Sequence, residues 1–145
     1  MANLSDFAAT LLEGKLQHPP IAKLVGFELI ETGPGRAVFM LQTEQKHYNP
    51  MGTVHGGILC DLADAAMGIA FATTLAPDET FTTLELKINF MKPIWETKLR
   101  AVGKVVKRGK TVGLSECDVF DAEDSLVARA SSTVMVLRGE MSKGR

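Results

Sequence analysis

The feature that most constrains this chain is a stretch from residue 56 to about 75, almost entirely apolar and rich in alanine and glycine, that carries two acids, Asp61 and Asp64. A helix that is apolar all round is a buried one. Its small residues, Ala63, Ala65, Ala66, Gly68, Ala70 and Ala72, let a sheet wrap closely against it. The longest apolar run, 58–76, is broken by both acids and makes a poor membrane span. The chain is therefore expected to enclose one long helix.

The rest of the sequence supplies the enclosure. Leu84, Leu86, Ile88 and Phe90 alternate with Thr83, Glu85, Lys87 and Asn89, the pattern of a strand with one buried face. Strand-like runs at 99–107 and 111–120 flank a hairpin at Arg108-Gly109-Lys110, and a run at 126–137 follows the turn Asp121-Ala122-Glu123-Asp124. Upstream, 25–31 and 36–42 read as strands joined at Gly33-Pro34-Gly35. Leu4, Phe7, Ala8, Leu11 and Leu12 recur at helical spacing, with Asn3 or Ser5 as cap. This N-terminal helix, within residues 1–18, must stop before Pro19-Pro20. Residues 43–54 are polar and rich in turn formers. The order helix, two strands, central helix, four strands, with no repeats, predicts an α+β fold. It reads as one domain over residues 1–145, a meandering antiparallel sheet packed on one long helix, with a frayed tail at 139–145.

Composition narrows the function. The net charge is -1 and the basic residues are scattered, which argues against nucleic acid or a membrane surface as partner. Cys60 and Cys117 are isolated, as in a reducing compartment. The N-terminus lacks a basic segment followed by an apolar one, so a cytoplasmic chain is expected. There is no G-x-S-x-G, H-E-x-x-H or phosphate-binding loop, and Gly33-Pro34-Gly35 does not continue into a dinucleotide fingerprint. His18, His47 and His55 show no metal spacing. Apolar and acidic neighbours make Cys60 a poor nucleophile.

Asp64 poses the sharpest question, because it sits among Leu62, Ala63, Ala65, Ala66 and Met67. A carboxylate in such surroundings costs several kcal/mol unless it is paired or its pKa rises. It reads either as a functional acid or as a group facing a watery seam or a backbone donor. Asp61, nearer the positive end of the helix dipole, reads as structural. His55-Gly56-Gly57 begins the helix, and a glycine pair there lets a ligand reach free backbone N–H groups. A glycine-rich junction with His55 as a cap or packing group accounts for it equally. Asn49 precedes a proline, so its backbone is extended and its amide can simply close a turn. Thr83 taken alone is a strand-surface threonine.

Taken together, Asn49-Pro50-Met51-Gly52-Thr53-Val54-His55-Gly56-Gly57-Ile58, followed by Leu62-Ala63-Asp64, resembles the signature of hotdog-fold thioesterases, closest to the phenylacetate-degradation-type subfamily. The segment Thr83-Leu84-Glu85-Leu86-Lys87-Ile88-Asn89-Phe90-Met91-Lys92-Pro93 resembles the strand after the central helix in that group. The resemblance spans residues 20–137. It implies an antiparallel sheet wrapped around the central helix and subunits paired into a continuous sheet, as a homodimer or a dimer of dimers. It also implies hydrolysis of acyl-coenzyme A to free acid and coenzyme A, without a metal or organic cofactor. On this resemblance Asp64 is the catalytic carboxylate, as general base or nucleophile, and the Gly56 N–H polarises the thioester carbonyl. Asn49 and His55 orient substrate or water, and Thr83 holds the attacking water.

Gly57 is a further candidate for substrate binding. Lys87, Lys107, Arg108 and Lys110 are candidates for the phosphates of coenzyme A, though a solvated strand face and a charged hairpin tip explain them equally well. Met51, Met67, Phe71, Phe81 and Trp95 are candidates for the pocket walls. Eight residues separate Gly56 from Asp64, a rise of about 12 Å along one helix. Base and oxyanion donor must converge on one carbonyl, so the expected site pairs Gly56 of one chain with Asp64 of another. Two rivals remain: a hydratase or dehydratase on the same fold using His55 with a helix acid, and a non-catalytic acyl-coenzyme A binding module.

Overall fold

The computed structural model describes residues 4–144. Helix α1, Leu4–Leu12, is followed by a second short helix α2, Pro20–Val25. Strands β1, Phe27–Gly33, and β2, Arg36–Gln42, form a hairpin, and the central helix α3 spans Gly56–Ala72. Strands β3, Glu79–Phe90, β4, Lys98–Arg108, β5, Val112–Phe120, and β6, Leu126–Arg138, complete the chain. All six strands are antiparallel in the order β1-β2-β4-β5-β6-β3.

Several expectations are corrected. Asn3, one of the two proposed caps, lies outside the described residues, as do the first three residues of the N-terminal segment and the last of the tail. Residues 20–25 are helical, so the first strand begins at Phe27 rather than at residue 25. Pro20 stands in the first turn of α2, where a proline's missing N–H and fixed φ do no harm. Gly26, with φ 100°, closes this helix by donating its N–H to Ala22 O. The sheet is not a simple meander: β3 crosses to the far edge and pairs with β6, while β2 pairs with β4. The tail expected to fray carries a 3-10 turn, Gly139–Ser142, whose Ser142 hydroxyl donates to Gly139 O.

Helix α3 is held by its buried face. Leu59, Leu62, Ala63, Ala66, Met67, Ala70 and Phe71 recur at three- and four-residue steps and are almost wholly shielded. Each fully buried Leu, Met or Phe contributes about 1.5–3 kcal/mol. Small residues on the facing strands let helix and sheet touch. A Cβ on Gly103 of β4 would lie 2.4 Å from Ala66 O, and one on Gly113 of β5 would lie 2.1 Å from the Phe71 ring. The helix is not covered all round, however. Asp61 and Asp64 are exposed in the chain, and Ala65, Gly68 and Ile69 beside them are only partly covered.

The ladders show which way β3 faces. Gly113 looks at α3, and directly opposed ladder residues share a face. Val134 opposes Gly113, and Thr83 opposes Val134, so Thr83 is on the helix side. A bulge between Thr83 and Glu85 leaves Leu84 unopposed. Phe81 reaches Gly68 and Phe90 reaches Gly56, so β3 runs back along the helix. At its start Glu79, with a side chain 7% exposed, is gripped by Arg108 and Arg138. The Ala76 N–H also donates to Glu79 Oε2 at 2.9 Å. That backbone bond and the two guanidinium groups hold the Glu79 carboxyl below the ordinary range.

Candidate active site

The site residues gather in two places along α3. At its N-terminus His55 is the cap, with extended backbone and Nδ1 accepting the Gly57 N–H at 2.9 Å. This corrects the expectation of two free amides: the Gly57 N–H is spent on the cap. The Gly56 N–H, the first of the helix, pairs with no protein group among the described residues. Asn49 shapes the approach. Its Oδ1 accepts the N–H groups of Met51 and Thr53, at 2.9 and 3.2 Å, and its Nδ2 donates to the Thr53 hydroxyl at 3.0 Å. Asn49 thus closes a turn, which Gly52 completes with φ 81°. Asn49 and Gly56 line one cavity of about 360 Å³ with Leu59, Phe90, Met91 and Lys92.

Asp64 lines a different cavity, of about 310 Å³, beside Asp61 and His18. The rest of its lining is apolar, contributed by α1, α2, β1, β2, β3 and α3 itself. Asp64 is therefore not sealed inside the chain as its neighbours in sequence suggested, but stands on the wall of a largely greasy chamber. Burial there, and secondly the charge of Asp61, raise its carboxyl above the usual aspartate range. Among the described residues neither acid has an ion-pair or hydrogen-bond partner within the chain. The Cys60 thiol between the two cavities is pushed up by burial and by both acids, which disfavours a thiolate. Thr83 is exposed on the helix-facing side of β3, and its hydroxyl has no protein partner among the described residues.

The other candidates separate. Arg108 is committed to Glu79 and lies over the Phe71 ring, 5.5 Å from its centroid. Its guanidinium is thus engaged within the fold. Lys87 donates to Asn89 Oδ1 at 2.9 Å on the outer face of β3, while Lys107 and Lys110 are exposed. None of these lines either cavity. Of the expected pocket walls, Phe81 lines the Asp64 chamber. Met67 and Phe71 are core residues instead, and Met51 is 85% exposed. Trp95 borders a separate shallow cleft with Asp121. His18, Phe90 and Lys92 were not singled out from sequence, although Phe90 and Lys92 lie within the segment that carries the family resemblance.

A family model described as "Thioesterase superfamily" matches residues 51–128. A candidate esterase of Saccharolobus solfataricus is 33% identical over 118 residues, which cover 81% of this chain and 84% of that protein. The 1,4-dihydroxy-2-naphthoyl-CoA hydrolase of Listeria monocytogenes is 27% identical over 116 residues, 80% of this chain and 94% of the relative. Among solved structures, the E. coli PaaI protein of the phenylacetic acid degradation operon superposes with a TM-score of 0.82 at 23% identity. That superposition covers 94% of this chain and 97% of PaaI, and at this identity it is a likeness of fold.

Proposed function

This chain belongs to the thioesterase superfamily and has its hotdog fold, and from that premise we propose that it hydrolyses acyl-coenzyme A thioesters with Asp64 as the acting carboxylate. The observation that carries the reading is the state of Asp64: without a partner among the described residues, raised in pKa, and set in the wall of a largely apolar chamber. A carboxylate so placed is a stronger proton acceptor than an ordinary aspartate. The Listeria relative, by its name, acts on a coenzyme A thioester.

In this mechanism the acyl group lies in the Asp64 chamber and its carbonyl oxygen accepts the Gly56 N–H. Asp64 takes a proton from water as the water oxygen bonds to the carbonyl carbon. Negative charge develops on the carbonyl oxygen, where the amide at the positive end of the α3 dipole stabilises it. The C–S bond then breaks, and coenzyme A leaves as the thiolate and takes up a proton. Attack by the Asp64 carboxylate itself, through an anhydride that water opens, leads to the same products. Thr83 holds the water, Asn49 and His55 hold the loop and the helix start, and Lys87, Lys107 and Lys110 are the basic groups left for the phosphates.

One chain cannot bring these parts together, since about 12 Å of helix separates Gly56 from Asp64. The site is completed by a second copy that places its Gly56 opposite this chain's Asp64. The long edge strand β3 supplies the joint, pairing with its counterpart to continue the sheet through a homodimer, or through a dimer of dimers. Cys60 and Cys117 carry free thiols, which fits work in the cytoplasm.

A thiol-release assay over short, medium, long and aryl acyl-coenzyme A tests the reading beside Asp64→Asn. Turnover in the variant is expected to fall by about a hundredfold or more. Near-normal rates in Asp64→Asn, or enoyl hydration without thiol release, would sink it.

A further inference from the structure

The Asp64 chamber has a floor. Along one side it follows α3 from Asp61 to Ala72, and on the other stand Leu4, Phe7 and Leu11 of α1. At its far end Leu4 and Phe81 pack against a second core cluster formed by Phe71, Ala72, Leu75, Val134 and Val136. From Asp64 to Ala72 the helix rises about 12 Å.

Gly68 stands midway along this wall, and nothing in the packing requires it to be glycine. It is not among the glycines with positive φ, and a Cβ there would meet only Phe81 Cζ, at the ordinary contact distance of 3.7 Å. At Gly103 and Gly113, by contrast, a Cβ would collide at 2.4 and 2.1 Å. A glycine inside a helix costs about 1 kcal/mol relative to alanine. What the missing side chain at position 68 leaves is a gap about one methyl group wide between α3 and the Phe81 ring, a narrow point on this wall.

We propose that the chamber measures the acyl group: Gly68 and Phe81 set its calibre, and Leu4 with Phe81 sets its depth. An extended chain advances about 1.2 Å per bond, so about 12 Å accepts roughly ten carbons, or an aryl-acyl group of similar length. The cavity of about 310 Å³ lies at the small end of ligand pockets, which run from about 300 to 1,000 Å³. The substrate class is therefore medium-chain or aryl acyl thioesters, with longer chains excluded by the floor. The assignment rests on the thioesterase reading above for the chemistry, and on the shape of the chamber for the length.

The test measures kcat/KM over acyl-coenzyme A esters of about four to sixteen carbons for the wild type, Gly68→Leu and Leu4→Ala. In the wild type, efficiency is expected to fall about tenfold or more between ten and fourteen carbons. Gly68→Leu moves that fall to shorter chains and lowers the decanoyl-to-butyryl ratio about tenfold, whereas Leu4→Ala moves it to longer ones. A length profile that stays the same in both variants, or a uniform loss at every length, overturns the proposal. The same series of non-hydrolysable acyl thioethers, titrated calorimetrically, separates the two claims. A length limit in binding with no thiol release from the esters leaves the ruler standing and removes the hydrolase reading. Thiol release with no length limit removes the ruler alone.

Discussion

The carboxyl of Asp64 is raised first by burial and then by Asp61, and no cation among the described residues relieves it. In the window between its unfolded and its folded pKa the native chain holds more protons than the unfolded one. Stability from this group is therefore lost as pH rises through that window. At neutral pH the ionised acid weakens the fold, so Asp64→Asn should raise Tm while it abolishes turnover. Differential scanning calorimetry at neutral pH checks this, and a lower Tm in the variant would contradict it. Activity should climb with pH to a plateau through a midpoint above the ordinary aspartate value, the protonated acid being unable to act as base. His55 makes a different contribution: its Nδ1 accepts the Gly57 N–H and so caps the start of α3. From sequence Asp64 was conspicuous as an acid among apolar neighbours. The tasks of Asn49 and His55 were not, because a cap, a turn and a catalytic contact draw on the same residue types.

At the scale of elements, β2 occupies the residues its alternation suggested, and β4, β5 and β6 begin and end within a residue of their expected limits. Helix α2 was hidden because Pro19-Pro20 reads as a stop, whereas a proline in a first helical turn is also a start. Strand β3 starts four residues earlier than its alternation indicated, at Glu79, where two arginines grip the chain. The misreading of α3 as buried all round has a physical cause. Its uncovered face is made of Ala65, Gly68 and Ile69, residues as apolar as a core, which line a largely apolar cavity instead of packing against the sheet. Two alanine substitutions separate packing from vacancy. Gly103→Ala, which drives a Cβ into the α3 backbone, is expected to destabilise by about 1–3 kcal/mol. Gly68→Ala is expected to stabilise by up to about 1 kcal/mol through helix propensity. Urea unfolding midpoints of the pair check both signs.

At the scale of the whole molecule, Gly56 and Asp64 belong to separate cavities of one chain, and the twelve-residue β3 lies at the sheet's edge. A shared site makes a complementation forecast. Gly56→Pro removes the N–H at a position where proline suits the helix, and Asp64→Asn removes the acid, so each homodimer is silent. In a mixed dimer one of the two sites regains both parts. Random reassortment of equal amounts should therefore return about a quarter of wild-type activity. Mixing that restores nothing would mean that each chain works alone. The chamber described above also bears on how such a protein can diversify. Its outer wall is built from α1, which lies outside the sheet and precedes the reacting helix in the chain. If the chamber holds the acyl group as proposed, exchange of α1 for another segment would retailor the clientele while the helix behind it stays in register.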